Sequence, residues 1–313
     1  MNQIVAVQEQ AALTSRPASL QDLTEAFLAD QDVSTSSRET YRRSLRQFIG
    51  WLESTGRAQR MSTLQREDIL AYKESLQAEK SSSTVSTYLT VVRKLYGWLE
   101  SQKLYPDITR GVKGAKKAKG HRKDCLTPGQ IRQALDTMDR STLEGLRDFA
   151  LLNLLVRTGL RTVEVARAQV GDIRQEAGQA VLWIQGKGRD EKDDFVLLVE
   201  DTLEPLREYL AARGPVSAEE PLFVSSSDRN RGEALTTRSI SRIVKQALQA
   251  VGLNDSRLTA HSMRHTAITL AAAGGASLHQ VQAMARHSDP KITMVYFHNL
   301  DRVKAGAERF ISF

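Results

Sequence analysis

The chain has 313 residues, of which 41% are hydrophobic and 26% are charged, and its formal net charge is +7 with a sequence pI near 9.5. This composition is typical of a globular protein with a packed core, and it excludes a chain that is disordered throughout. The length fits a two-domain protein. No stretch approaches the roughly 18 apolar residues that a membrane-spanning helix requires.

The N-terminus and the cysteine count bear on the compartment. The first residues, MNQIVAVQEQ, lack the basic region and apolar core of a secretory signal. The single cysteine, Cys125, excludes an internal disulfide and a cysteine-based zinc site. We therefore expect a cytoplasmic protein that binds neither a structural zinc ion nor a membrane.

Residues 1–18 lack periodicity and are expected to form a loose arm, whereas residues 19–112 are predicted to form a helical bundle. The helical pattern starts at Leu20. Two clusters of serine and threonine, at 34–37 and 81–84, are expected to cap amphipathic helices, and a further helix is predicted near 66–78. Short connections between the helices favour a compact bundle.

The net charge is concentrated in the segment that follows the bundle. Residues 113–123, KGAKKAKGHRK, hold six basic residues and no acidic one. Their glycines and lack of large apolar side chains predict a linker between two domains. Clustered basic residues favour DNA phosphates through counterion release, and the alternative is a linker that is only solvated. The candidate DNA-binding residues are Lys113, Lys116, Lys117, Lys119, Arg122 and Lys123.

Residues 124–313 are predicted to form a mostly helical second domain with a small antiparallel sheet. Thr127 and Pro128 are a helix cap followed by proline at the first helical position. A hairpin is predicted from the β-rich runs 180–184 and 195–199, which flank a polar turn. The predicted helices span about 128–138, 143–157, 202–212, 237–251, 262–273, 277–285 and 290–295. The fold class is therefore mainly α, with a helical domain followed by a mixed α/β domain.

Five strings in the second domain carry reactive side chains, and each has an ordinary structural explanation. Arg161 and Glu164 in TGLRTVE have the i,i+3 spacing of a common helix pair. Lys187 in GKG lies at a hairpin turn, where lysine is usually solvated. His261 and His265 in HSMRH have the spacing of a zinc-binding helix, but a serine stands where that motif needs glutamate, so no metal site is predicted.

The last two strings are equally ambiguous in isolation. His287 in RHSDP fits a capping turn, and Tyr296 among apolar neighbours fits a core position. In chain order, however, the set becomes Arg, Lys, His-x-x-Arg, His and Tyr, which suits phosphodiester chemistry without a metal. Guanidinium groups bind phosphate oxygens and stabilise transition-state charge. A phenol can attack phosphorus, and lysine or histidine can transfer protons.

These strings resemble those of the phage integrase family of tyrosine recombinases, with a layout most similar to the Xer type. The resemblance covers roughly residues 20–300 and rests on TGLRTVEV, GKGRDEK, HSMRHT and ARHSDPKITMVYFH. His287 and Tyr296 have the family's nine-residue spacing. The helical first domain, with SSRETYRRSLRQFIGWL and SSSTVSTYLTVVRKLYGWL, is similar to the family's core-binding domain.

The resemblance implies a site-specific recombinase that cleaves and rejoins DNA through a 3′-phosphotyrosyl intermediate and needs no cofactor. It implies Tyr296 as the nucleophile, Arg161 and Arg264 as the phosphate-binding residues, and Lys187 as the general acid. It also implies that the protein acts as a homotetramer on two double-stranded DNA sites, alone or with a second recombinase. Integration or excision of a mobile element and resolution of circular DNA all use this chemistry.

The remaining roles and two departures also follow from the resemblance. It implies that His261 assists proton transfer, His287 hydrogen-bonds the phosphate and Glu164 supports the site. Arg286 stands where the family usually has glycine, and is expected to be either a surface contact or a DNA contact. Asp193 and its neighbour Asp194 replace the basic residue that often follows the lysine hairpin. The other histidines that flank these strings, His265 and His298, are expected to be structural or peripheral.

Two other functions stay open, as does the role of the C-terminus. A type IB topoisomerase shares the catalytic residue types, but the recombinase-like first domain argues against it. A non-catalytic DNA-binding regulator would gain nothing from a nucleophile. The sequence ends in Phe310-Ile311-Ser312-Phe313, an apolar tail that is expected to dock either on a neighbouring protomer or on its own domain.

Overall fold

A computed structural model describes residues 19–58, 63–116, 125–186 and 188–312. The chain divides into two compact units, Met1–Gly120 and His121–Phe313. In the described part of the chain the structure is mainly helical with one three-stranded antiparallel sheet, which confirms the predicted fold class. Among the described residues no helix is long and apolar enough to cross a membrane.

The first unit contains four described helices around one apolar core. They are α1 (Leu20–Asp30), α2 (Thr35–Ser54), α3 (Arg66–Glu79) and α4 (Ser82–Ser101). The predicted serine caps are present, because Ser34 accepts from the Ser37 amide and Ser81 from the Thr84 amide. The predicted apolar faces of α2 and α4 are largely buried in this core. Full burial of a leucine or phenylalanine contributes about 1.5–3 kcal/mol, so packing holds this bundle together.

The second unit begins with three described helices that precede the sheet in the chain. The first three are α5 (Pro128–Asp136), α6 (Leu143–Thr158) and α7 (Thr162–Arg167). The sheet follows, with β1 (Ile173–Glu176), β2 (Gln179–Ile184) and β3 (Asp194–Leu197) in that order. Leu182 of β2 pairs with Ile173 on one side and Val196 on the other. The remaining helices are α8 (Glu200–Arg213), α9 (Thr237–Ala250), α10 (Ala260–Ala273), α11 (Leu278–Ala285) and α12 (Pro290–Lys304).

The structure corrects the sequence prediction in two places. Strand β1 was not predicted, because IRQE carries polar side chains and three of its four residues are exposed. The final helix extends to Lys304, well past the predicted end at 295. Neither glycine nor proline interrupts it before Gly306, which explains its greater length.

Candidate active site

The candidate site lies in the second unit, where the ends of several helices meet. Helix α6 ends at Gly159, whose φ of 64° is in the left-handed region that glycine adopts without strain. Arg161, two residues after Gly159, is the N-cap residue of α7. Helix α10 supplies His261 and Arg264, and α12 supplies Tyr296. The unpaired carbonyls and amides at helix ends are therefore available to hold these side chains.

Arg264 is buried and bound by two helix C-termini. Its Nη1 donates to the Gly159 carbonyl at 2.6 Å, and its Nη2 donates to the Ala285 carbonyl. Carbonyls at helix C-termini carry partial negative charge, which stabilises a buried cation. Burial, followed by the charges of Arg161 and Arg286, lowers the pKa of Arg264 to about 10, so the group stays protonated at pH 7.

Glu164 connects two arginines from different parts of the chain. Its side chain is 0% exposed, and Oε1 accepts from Arg161 Nη1 at 2.8 Å. Oε2 accepts from the Arg161 backbone amide at 2.7 Å and from Arg286 Nη2 at 2.9 Å. Arg161 itself remains 32% exposed at its side chain. Glu164 thus fixes the start of α7 and one edge of the Arg161 guanidinium, and leaves that guanidinium reachable from solvent.

Arg286 is buried and is not a surface contact, which corrects that part of the sequence expectation. Its side chain is only 7% exposed, and it pairs with Glu164. Its Nη1 donates to the Met284 carbonyl at 2.6 Å. The backbone at Arg286 has a φ of 52° and ends α11 in the left-handed conformation that glycine favours. The residue therefore keeps the backbone geometry of a glycine and adds a buried guanidinium.

Tyr296 is buried against α10. It is 4% exposed, and its hydroxyl is hydrogen-bonded to His265 Nδ1, with the two rings stacked at 5.7 Å between centroids. Burial and then the neighbouring Cys125 raise the pKa of Tyr296 to about 12, whereas Arg264 acts in the opposite direction. The phenol is therefore protonated at neutral pH in this conformation.

The two candidate histidines differ in their surroundings. His261 is exposed in the first turn of α10, and its ring meets that of His265 edge to face at 4.7 Å between centroids. His287 is half-buried, and its Nδ1 is hydrogen-bonded to Thr293 Oγ1 at 2.9 Å. Burial, followed by the charges of Arg264, Arg161 and Arg286, lowers the pKa of His287 to about 4. The ring is therefore neutral at pH 7.

The structure brings together the described candidates of the second unit. Arg264 interacts electrostatically with Arg161, Glu164 and Tyr296. The ring of His261 contacts that of His265, which is hydrogen-bonded to Tyr296. Lys187 lies outside the described residues, as do Lys117, Lys119, Arg122 and Lys123. Lys113 and Lys116 are described and exposed. His298 is exposed on α12, away from the buried face that carries Tyr296.

Sequence reasoning missed the roles of His265 and Arg286. His265 lies one turn beyond His261 in α10, but nothing in the local sequence shows that α12 packs there. Arg286 was noted only as a departure from glycine. Nothing in the local sequence shows that Glu164 is buried or that it pairs with a second cation. No group of three or more histidine, cysteine or carboxylate side chains that could hold a metal occurs within the described ranges.

Comparison with known proteins gives consistent results for both units. Residues 124–302 match the phage integrase family, and residues 20–103 match the phage integrase N-terminal SAM-like domain. A tyrosine recombinase of Synechococcus elongatus is 35% identical over 163 residues, which cover 52% of this chain and 50% of the relative. Tyrosine recombinase XerD of Listeria monocytogenes is 27% identical over 290 residues, which cover 89% and 94%.

The fold is also similar to that of a solved recombinase. A crystal structure of the XerH site-specific recombinase, bound to a palindromic difH substrate in a post-cleavage complex, aligns with a TM-score of 0.73 at 21% identity. The alignment covers 92% of this chain and 85% of that one. This similarity extends through both units and supports the same order of domains.

Proposed function

The chain belongs to the phage integrase family, and from this we propose that it is a site-specific DNA recombinase in which Tyr296 forms the covalent bond to DNA. The observation that carries the proposal is the cluster itself. One phenol, Tyr296, lies within electrostatic reach of Arg264, which in turn interacts with Arg161. A phenol beside one buried and one partly exposed arginine suits nucleophilic attack on a phosphodiester.

In the proposed reaction the Tyr296 phenol gives up its proton, for which His261 is the assigned acceptor, and its oxygen attacks the phosphorus of the scissile phosphate. The bond from phosphorus to the 5′-oxygen breaks, and a 3′-phosphotyrosyl bond forms. Arg161 and Arg264 bind the non-bridging oxygens and stabilise the charge that develops in the transition state. The 5′-oxygen leaves as a hydroxyl after it takes a proton. Attack by a 5′-hydroxyl of a partner duplex then restores a phosphodiester and releases the tyrosine.

This cycle needs neither ATP nor a metal ion, because the energy of the broken phosphodiester is retained in the phosphotyrosine. We assign the proton for the leaving oxygen to Lys187, on the resemblance alone. His261 is exposed and close to the nucleophile's partner His265, which supports a role in proton transfer. A neutral His287 can donate a hydrogen bond to the phosphate without being a cation itself.

Attack requires a change in the position of Tyr296. Tyr296 is 4% exposed and its hydroxyl is hydrogen-bonded to His265, so we propose that it is not aligned for attack in this conformation. The hydrogen bond to His265 must therefore break, and α12 must move, before the phenol can attack. We propose that this movement accompanies DNA binding. Proximity to the guanidinium of Arg264 would then favour the phenolate that burial now opposes.

The linker and the C-terminus are proposed to make the intermolecular contacts. Exposed Lys113 and Lys116 support a linker that follows DNA phosphates. The apolar tail leaves Phe310 82% and Ile311 64% exposed, which favours docking on a second protomer. We propose a homotetramer on two DNA sites, in the cytoplasm. Deletion of residues 302–313 should then weaken cooperative assembly on two-site DNA, and unchanged assembly would contradict this part of the proposal.

The proposal can be tested without knowledge of the natural site. Wild-type protein and a Tyr296→Phe variant are each mixed with random-sequence nicked duplexes, and SDS-resistant protein–DNA adducts are measured. We expect adducts with the wild type and none with the variant, although both bind DNA. Tyr105→Phe, which removes a phenol hydroxyl from the first unit, is the control and should form adducts like the wild type. Sequencing of the trapped duplexes identifies the target.

The two alternatives give different results in the same system. DNA binding without adduct formation by the wild type would contradict the proposal and favour a non-catalytic regulator. Relaxation of a supercoiled plasmid that lacks the trapped site, by a monomer, would favour a topoisomerase. Adducts that are enriched for one sequence support the recombinase.

A further inference from the structure

Arg286 is the strongest feature that the proposed reaction does not use. We propose that Arg286 is a positioning residue, which holds the charge of Glu164 so that Arg161 can turn to the scissile phosphate. This inference rests on the proposed function and adds a residue to it. Arg286 acts through Glu164, and the reacting atoms are contacted by Arg161 and Arg264.

The argument starts from the charge that is buried at Glu164. Its carboxylate is 0% exposed and has two charged partners, Arg161 and Arg286. An ionised carboxylate removed from water requires paired charge and hydrogen bonds to remain ionised. In the free protein both arginines meet that requirement together.

The arrival of DNA changes this balance. The guanidinium of Arg161 is partly exposed, and a phosphate competes with Glu164 for its N–H donors. If Arg161 were the only cationic partner, phosphate binding would leave a buried carboxylate without its counter-charge. Arg286 prevents this, because its Nη2 keeps Oε2 paired at 2.9 Å while the Arg161 amide remains on the same oxygen at 2.7 Å.

The surroundings of Arg286 hold its side chain in place beside Glu164. Its Nη1 is bound to the Met284 carbonyl at 2.6 Å, and its side chain is 7% exposed. A guanidinium in this position points into the protein and away from solvent. Within the described part of the chain its Nε is buried and has no hydrogen-bond partner, so the guanidinium gives up one donor while its Nη2 is held on Glu164.

A direct effect of the third cation on the phosphate is the competing explanation, and a double-mutant cycle separates the two. If Arg286 compensates Glu164, the Glu164→Gln change removes the need for compensation, and the defect of Arg286→Gly should largely disappear in the double variant. If Arg286 acts on the phosphate directly, the two defects should multiply. Glycine is the suitable replacement because the φ of 52° is strained for alanine.

The experiment measures single-turnover adduct formation at 20 °C on a nicked duplex recovered from the trapping assay. We expect Arg286→Gly to slow adduct formation about 10- to 100-fold, with less than about a threefold change in the Kd for DNA. Arg286→Lys keeps a cation near Glu164 and should restore most of the rate. Lys103→Gly is the matched control, since it also removes a basic side chain from a left-handed position, with a φ of 58°, in the first unit.

Each outcome bears on the inference. A wild-type rate for Arg286→Gly, or multiplicative defects in the double variant, would overturn it while the recombinase assignment stands. Absence of adducts with the wild-type protein would instead overturn the proposed function. A loss of rate that Arg286→Lys does not restore, matched by a lower melting temperature, would indicate a purely structural role.

Discussion

The low pKa of His287 has a measurable effect on stability. The ring is half-buried next to three arginines, and burial followed by their charges lowers its pKa from 6.5 to about 4. In the unfolded chain the same histidine takes up a proton near pH 6.5. Between these values the unfolded state binds a proton that the folded state does not bind. The free energy of unfolding therefore falls as the pH falls from 6.5 to 4, and this contribution is constant above that window.

The size of the effect follows from the same values. A fully buried histidine with this difference between its unfolded and folded pKa values would contribute about 3 kcal/mol to the free energy of unfolding, at roughly 1.4 kcal/mol for each pKa unit. His287 is only half-buried, so solvent screens part of the interaction. We expect about 1–2 kcal/mol, lost between pH 6.5 and 4.

The measurement compares wild type with His287→Gln by urea unfolding at pH 7 and pH 4.5. Labelling with fluorotryptophan lets the Trp183 resonance report on the second unit alone, because the other tryptophans, Trp51 and Trp98, lie in the first. The wild type should lose about 1–2 kcal/mol more than the variant. His279→Gln is the control for loss of an exposed histidine. Equal losses in wild type and His287→Gln, or a His287 resonance that titrates near pH 6.5, would refute the reasoning.

Three further changes have defined outcomes. Arg264→Lys replaces a planar fork that two helix C-termini bind, so we expect at least about a 100-fold slower adduct formation with DNA affinity nearly unchanged. His265→Phe removes the partner of the Tyr296 hydroxyl, and should lower the free energy of unfolding by about 1–3 kcal/mol, measured by urea denaturation. The double change Lys113→Gln and Lys116→Gln should reduce the slope of log Kd against log salt by about 2, as measured by fluorescence anisotropy.

Helix positions were predictable because apolar periodicity and caps agree. The serine clusters before α2 and α4 cap those helices, and the apolar faces behind them are buried. Strand β1 was not predictable in the same way, because its mostly exposed polar side chains give no apolar alternation. The strand is defined by its pairing with β2. Its turn also places Ala177 at a φ of 48°, which local propensity does not favour.

The candidate site could be predicted as a set of residues but not as a geometry. The order and spacing of the strings around Arg161, His261 and Tyr296 identified side chains suited to phosphate chemistry. The sequence did not indicate that His265 faces the phenol of Tyr296, because the two residues lie on different helices and are 31 positions apart in the chain. Nor did it indicate that Arg286 is buried, because a single basic residue after a helix is usually exposed.

The packing is compatible with the proposal that Tyr296 is a protected nucleophile beside a rigid phosphate-binding site. Tyr296 belongs to a small apolar cluster with Ile268, Val281 and Ala285, separate from the main core of the unit. Among the described elements, α12 packs mainly on α10 and α11. Arg264 is tied on one side to the end of α6, which contributes many residues to the main core, and on the other to the carbonyl of Ala285 in the small cluster. Movement of α12 would therefore disturb the small cluster first, while the bond from Arg264 to the Gly159 carbonyl keeps that arginine anchored to the main core, as the proposed DNA-dependent attack by Tyr296 would require.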